Sequence, residues 1–143
     1  MSTHEHQSGI YPHRILHTML RVRNLQKSIQ FYTRTFGMNV LRQHDYPDSR
    51  YTLAFLGYGP EHSHTVLELT HNWDVIDYEP GTAFGHVAYG VRDIHACCQH
   101  IEAQGGRVVR APGPMQDDDR DVIAFVLDPD GYKIELIEQP ELS

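Results

Sequence analysis

Hydrophobic residues along this chain fall into two alternating registers. From Ile15 to Val22 every second residue changes side: Leu16, Thr18, Leu20 and Val22 share one face, and Ile15, His17, Met19 and Arg21 the other. This predicts a strand. Asn24 then stands where a helix cap is expected. Leu25, Ile29, Tyr32 and Phe36 follow on one helical stripe, closed by Gly37. Strand patterns return at Met38–Gln43, Arg50–Leu56 and 64–70, separated by the turn-rich runs HDYPDS and GYGPEHS. The predicted unit is βαβββ over residues 15–70. Residues 71–85 show no strong period and contain Pro80, Gly81 and Gly85, so they read as a linker.

The pattern then repeats. His86 falls on His17, Asp93 on Asn24, Ile94 on Leu25 and Gly106 on Gly37, all at an offset of 69 positions. Ile94, Cys98 and Ile101 form the second helical stripe. Ala124–Val126 falls on Ala54–Leu56. The expected class is α+β, with two tandem βαβββ modules at 15–70 and 86–138 forming curved mixed sheets. Residues 1–14 read as a flexible, polar extension, with His4, His6 and His13 solvated, and 139–143 as a tail.

Two residues break the apolar alternation. Glu68 lies between Leu67 and Leu69, and Glu135 between Ile134 and Leu136. Each follows a histidine that opens its own module, His17 by 51 positions and His86 by 49. Alternation places Val66 and Thr70 on the face of Glu68, and Lys133 and Ile137 on that of Glu135. Imidazole and carboxylate donors without thiolates suit Zn²⁺, Ni²⁺, Co²⁺, Fe²⁺ or Mn²⁺ and argue against a structural thiolate zinc site. Taken singly, a strand histidine or glutamate is more often a surface residue. Matched positions in two repeats are what raise a metal site to a serious reading.

Composition narrows the rest. A length of 143 residues fits one domain or two small lobes around a shared core. A net charge of -7 and the lack of a basic stripe argue against nucleic-acid binding. No apolar run reaches membrane-spanning length, and the N-terminus lacks a signal-peptide core. Cys97 and Cys98 are adjacent in a predicted helix and poorly placed to bridge, so a cytoplasmic location is expected. His44, His62, His64, His71, His95 and His100 read as bystanders, and Asp117–Asp119 as a solvated acidic run.

The stretches LHTMLRVRNLQKSIQFYTRTFGM, LAFLGYGPE, LELTHNW, FGHVAYGV and DPDGYKIELIE resemble the lactoylglutathione lyases (glyoxalase I) of the vicinal oxygen chelate superfamily. The resemblance runs from about Ile15 to Glu138. It implies that His17, Glu68, His86 and Glu135 are metal ligands, with Glu135, and Glu68 on the other face, in proton transfer. It implies a homodimer with each site built from one His/Glu pair of each subunit. Arg21 and Asn72, and Arg110 as a second cation, are implied contacts to glutathione. The implied reaction isomerises the hemithioacetal of methylglyoxal and glutathione to S-lactoylglutathione through an enediolate. The compact chain resembles the bacterial type activated by nickel or cobalt rather than zinc. One departure is PMQDDDRD, acidic where a Gly/Lys-rich loop is usual. That loop is expected to point outward; a less acidic thiol, such as a polyamine conjugate of glutathione, is the alternative. Other superfamily readings are an extradiol dioxygenase, an antibiotic-modifying thiol transferase, or a non-enzymatic binding protein. The first uses three ligands and the last lacks the quartet, so four intact candidates count against both.

Overall fold

The computed structural model describes residues 9–118 and 120–140. His4, His6, Asp119 and the end of the tail lie outside them. The element order is β1 (His17–Arg21), α1 (Leu25–Gln30), β2 (Asn39–Tyr46), β3 (Tyr51–Gly57), β4 (Val66–Asn72), β5 (Val87–Val91), α2 (Ile94–Ala103), β6 (Arg107–Pro114), β7 (Val122–Leu127) and β8 (Lys133–Glu138). Two four-stranded sheets result, ordered β1-β4-β3-β2 and β5-β8-β7-β6. In each, the first and last strands of the module run parallel at one edge, and the other pairs are antiparallel. The two βαβββ halves therefore share one topology.

Both helices start on the expected caps. The Asn24 side chain accepts from the Lys27 N–H, and Asp93 accepts from the Ala96 N–H. The first helix departs from the even stripe. After Gln30 it widens into a π-helical turn, Phe31–Thr35, in which the Phe36 N–H bonds the Phe31 carbonyl. The widening sets Phe31, Tyr32 and Phe36 against one another at 4.9–5.8 Å and brings Phe36 edge-on to Tyr89 at 5.0 Å. An α-periodic stripe cannot specify a five-residue bond, so the sequence pattern passed over it.

Strand β2 is longer than predicted. His44, Asp45 and Tyr46, expected in a turn, continue the ladder against Leu53, Thr52 and Tyr51. Cross-strand pairing explains this: Tyr46 stacks on Tyr51 at 4.7 Å, and the Thr52 hydroxyl donates to Asp45 at 2.7 Å. The turn shrinks to Pro47–Arg50, closed by Arg50 at φ 57°. His71 and Asn72 likewise close β4 instead of opening the linker.

One apolar cluster crosses both modules: Leu20, Val22, Tyr32, Leu56, Leu67 and Leu69 of the first join Ile94, Ile101, Ala124, Val126, Ile134 and Leu136 of the second. The helices cover this face of each sheet. The opposite face of the first sheet carries a smaller cluster, Leu53, Phe55 and Val66. The alternate residues, including Glu68 and Glu135, are thereby left on the faces away from the helices.

The DPDG turn clasps the halves together. Asp130 accepts from the Arg23 N–H and guanidinium, Asp128 accepts from the Tyr32 hydroxyl at 2.8 Å, and Tyr132 donates to the Arg21 carbonyl at 2.7 Å. Asp128 is buried, and burial holds its carboxyl above the usual range against the lowering effect of its hydrogen bonds. Burial, reinforced by Asp128, raises Tyr32 well above an ordinary phenol.

Candidate metal and active-site half-sites

In β1, register pairs His17 with Val66 and Met19 with Glu68, so His17 and Glu68 share the helix-free face as near neighbours. His17 Nε2 lies 3.0 Å from Glu68 Oε1. In the second module, Ala88 pairs with Glu135, and His86, just before β5, takes the equivalent place. His86 Nε2 lies 3.1 Å from Glu135 Oε1. Exposure matches as closely: the histidines are 39% and 40% exposed, the glutamates 15% and 14%. Each imidazole is thus open to an incoming group, while its carboxylate is largely shielded.

A phenylalanine backs each pair. Phe55 is the register partner of Glu68 and meets the His17 ring edge-on at 5.2 Å; Phe125 partners Glu135 and meets His86 at 5.6 Å. Over each phenylalanine stands a cation, Arg42 at 4.0 Å and Lys133 at 4.1 Å. Arg42 is forked onto Glu61, which holds that carboxyl below its usual range. Sequence reading passed over both phenylalanines, although the match of Ala54–Leu56 to Ala124–Val126 placed them at equivalent positions.

The halves differ at one atom. Thr70 donates its hydroxyl to Glu68 Oε2 at 3.1 Å. Its counterpart, two residues beyond Glu135, is Ile137, which has nothing to donate. Among the described residues, Glu68 thus accepts one hydrogen bond and Glu135 accepts none.

The remaining candidates separate. Arg21 lies on the face of His17, and its guanidinium has no ion pair among the described residues. Asn72, at the end of β4, exchanges hydrogen bonds with the Tyr78 hydroxyl at 3.2 Å. Arg110 points its guanidinium at the carbonyls of Gly113, Pro114 and Ile123 at 2.7–2.9 Å, bracing the bulged β6–β7 pair. A substrate carboxylate there would have to displace carbonyl partners. In the acidic loop, Asp118 is forked onto Arg120, which lowers its carboxyl. His71 bonds the Val22 carbonyl at 3.0 Å, so it has a structural partner.

No group of three or more potential ligands is assembled within the chain among the described residues. Each His/Glu pair brings two potential donors together.

This duplicated arrangement is matched from residue 14 to residue 136 by the model of the glyoxalase/bleomycin resistance protein/dioxygenase superfamily. The chain belongs to that superfamily. Among its members, a lactoylglutathione lyase of Neisseria meningitidis serogroup A is 57% identical over 126 residues, covering 88% of this chain and 91% of the relative. Glyoxalase I of Zea mays superposes with a TM-score of 0.85 at 45% identity; the match covers 90% of this chain and spans 45% of the maize chain. The glyoxalase I of Leishmania major, a trypanothione-dependent enzyme, superposes at 0.77 with 46% identity, over 89% of this chain and 87% of its own. The superfamily fold and the paired topology agree.

Proposed function

We infer that this chain is a lactoylglutathione lyase that isomerises the hemithioacetal of methylglyoxal and glutathione to S-lactoylglutathione. The observation that carries the inference is the pair of equivalent His/Glu half-sites, at 3.0 and 3.1 Å, in a chain 57% identical to a lactoylglutathione lyase.

The donor set fits a divalent metal. In each pair an imidazole nitrogen and a carboxylate oxygen stand 3.0–3.1 Å apart, close enough to bind one ion together. His17 and Glu68 of one subunit, with His86 and Glu135 of a second, would hold it, in a homodimer with two such sites. Ni²⁺ or Co²⁺ is favoured over Zn²⁺ by the likeness to compact bacterial enzymes. When bound, the ion would supply Lewis-acid stabilisation to negative charge on the paired oxygens of the substrate.

The protein groups divide the remaining work. Glu135 takes the proton from C1 of the hemithioacetal and returns one to C2, turning the alcohol carbon into the thioester carbonyl. Its lack of a threonine donor leaves it freer than Glu68 to do so. Glu68, bonded by Thr70, is the steadier ligand and the secondary proton carrier. Arg21 offers an unpaired cation to the anionic tripeptide, and Asn72 an amide beside it; Arg110 would reach the tripeptide only by giving up its carbonyl partners. Free Cys97 and Cys98 accord with a cytoplasmic enzyme.

The test is reconstitution. Metal-free protein receives Ni²⁺, Co²⁺ or Zn²⁺, and thioester formation is followed from methylglyoxal with glutathione and, separately, with a glutathione–polyamine conjugate. Turnover is expected with glutathione, highest with Ni²⁺ or Co²⁺. No thioester with any metal and either thiol would overturn the assignment. Preference for the conjugate would trace to the acidic run that includes Asp118.

A further inference from the structure

The chain carries 12 lysines and arginines against 19 acidic residues, so its cations have a surplus of partners available. Among the described residues, Arg23, Arg42, Arg50 and Arg120 are ion-paired, and Arg14 and Arg110 donate to backbone carbonyls. Six have neither kind of partner. Arg21 and Lys133 stand beside the half-sites, where an anionic substrate is expected. Arg92 lines a separate cavity bordered by Tyr58 and Tyr89. The other three, Lys27, Arg34 and Arg107, line one cavity of about 410 Å³.

This cavity lies between the first helical segment, the end of α2 and the β7–β8 turn, so both modules form its walls. It is on the helix-covered side of the sheets, away from the faces that carry the His/Glu pairs. Phe31 and Leu127 give it an apolar lining; Gln30, Thr35 and Gln104 add neutral hydrogen-bonding groups. Its one carboxylate, Asp128, is buried and turned to other partners. Oδ2 accepts from Tyr32, and Oδ1 from the N–H groups of Asp130 and Tyr132. Asp128 therefore leaves the cations uncompensated.

The carbonyl end of α2 accounts for one cation at this wall. It does not account for three, contributed by α1, its π-helical extension and β6. Two guanidiniums with an ammonium supply the positive charge and the hydrogen-bond donors that a phosphate dianion takes. The apolar lining suits a short carbon skeleton attached to it, and the volume lies in the range of small-molecule sites.

We propose that the cavity bounded by Lys27, Arg34 and Arg107 is a second ligand site, for a small phosphate monoester, separate from the metal half-sites. A bound phosphate would bridge the two modules. It would touch Pro129, one residue from the Asp130 clasp, and so the turn that leads into β8 and Glu135.

The proposal is tested on the full-length protein by calorimetric titration with glycerol 3-phosphate at constant ionic strength, with inorganic phosphate and glycerol in parallel. Saturable binding of glycerol 3-phosphate is expected, with weaker binding of phosphate and none of glycerol. The double variant Arg34→Gln/Arg107→Gln should bind at least about ten-fold more weakly, as loss of charged hydrogen bonds implies. Lys27→Gln, on the exposed side of α1, should weaken binding about three-fold without disturbing the fold. Basal turnover should be unchanged in both, which also reports correct folding. Absence of saturable binding to the wild type overturns the proposal. So does equal affinity in Lys27→Gln and the wild type, or displacement of the phosphate by S-methylglutathione, which would place the anion in the active site. None of these outcomes bears on whether the chain is a lyase.

Discussion

At the scale of single residues, the difference between Glu68 and Glu135 is one hydroxyl. Thr70→Val removes the donor to Glu68 and equalises the two carboxylates. The lyase reading then expects Glu135→Gln to lower kcat at least about 100-fold, in the range for loss of a general base. In the Thr70→Val background the same change should be less damaging, because Glu68 gains freedom to carry the proton. Steady-state rates of the four proteins, with metal content measured alongside, check this; equal losses in both backgrounds would remove Thr70 from the account. Residue identity was legible where chemistry contradicted context. A carboxylate amid Leu67 and Leu69, or amid Ile134 and Leu136, stands out in a string of letters. The phenylalanines behind the histidines did not, because a phenylalanine in a strand contradicts nothing. Only three-dimensional register places Phe55 opposite Glu68 and against His17.

A buried acid gives a second test at this scale. Burial raises Asp128 above its unfolded value, so the folded chain keeps this proton to a higher pH than the unfolded chain does. Its stabilising contribution is complete below the unfolded pKa of about 3.9 and is lost as pH rises through the higher folded value. Denaturant unfolding of wild type and Asp128→Asn should show the wild type losing ground to the variant across that window, and a constant difference at higher pH. A pH-independent difference throughout would mean that the bonds from Tyr32, Asp130 and Tyr132 cancel the cost of burial.

Among the elements, periodicity located every strand and helix, and failed at boundaries and at local departures from it. The cap residues were visible because side-chain chemistry marks them. Asn24→Ala and Asp93→Ala should each cost about 1 kcal/mol by thermal or chemical denaturation. The extension of β2 through Tyr46 rests on cross-strand stacking, which a single strand's sequence cannot display. The π-helical turn is a compromise among Phe31, Tyr32 and Phe36 that no helical period encodes. Arg110 is the instructive case. Its position suggested an anion contact, while the bulged ladder shows a brace for the Gly113, Pro114 and Ile123 carbonyls. Arg110→Ala distinguishes the roles: a lowered Tm with unchanged KM for the glutathione adduct marks a brace, and a raised KM with unchanged Tm marks a substrate contact.

For the whole molecule, duplication was the most legible feature, because an offset of 69 positions repeats a cap, a helix end and a histidine together. What the repeat could not show is how far apart the two pairs sit in one chain. The shared core fixes the modules back to back through their helix-covered faces, and the DPDG clasp reinforces that arrangement. On the proposed lyase function, a complete quartet would draw on a second subunit. Complementation tests it. Glu68→Gln and Glu135→Gln, each inactive alone, should recover about a quarter of wild-type activity after mixing, unfolding and refolding together, since half of the dimers would be mixed and each would own one intact site. No recovery, with mixed dimers verified by mass, would mean that each chain acts by itself.

Donor pairs shared between subunits would have a thermodynamic meaning as well. Where a pair from one chain binds an ion weakly and two pairs from two chains bind it well, ion uptake and subunit association become one linked equilibrium. A chelator then acts as a dissociating agent, and dilution acts as a chelator. The apparent metal affinity of such a protein has no single value; it rises with the concentration of the protein itself.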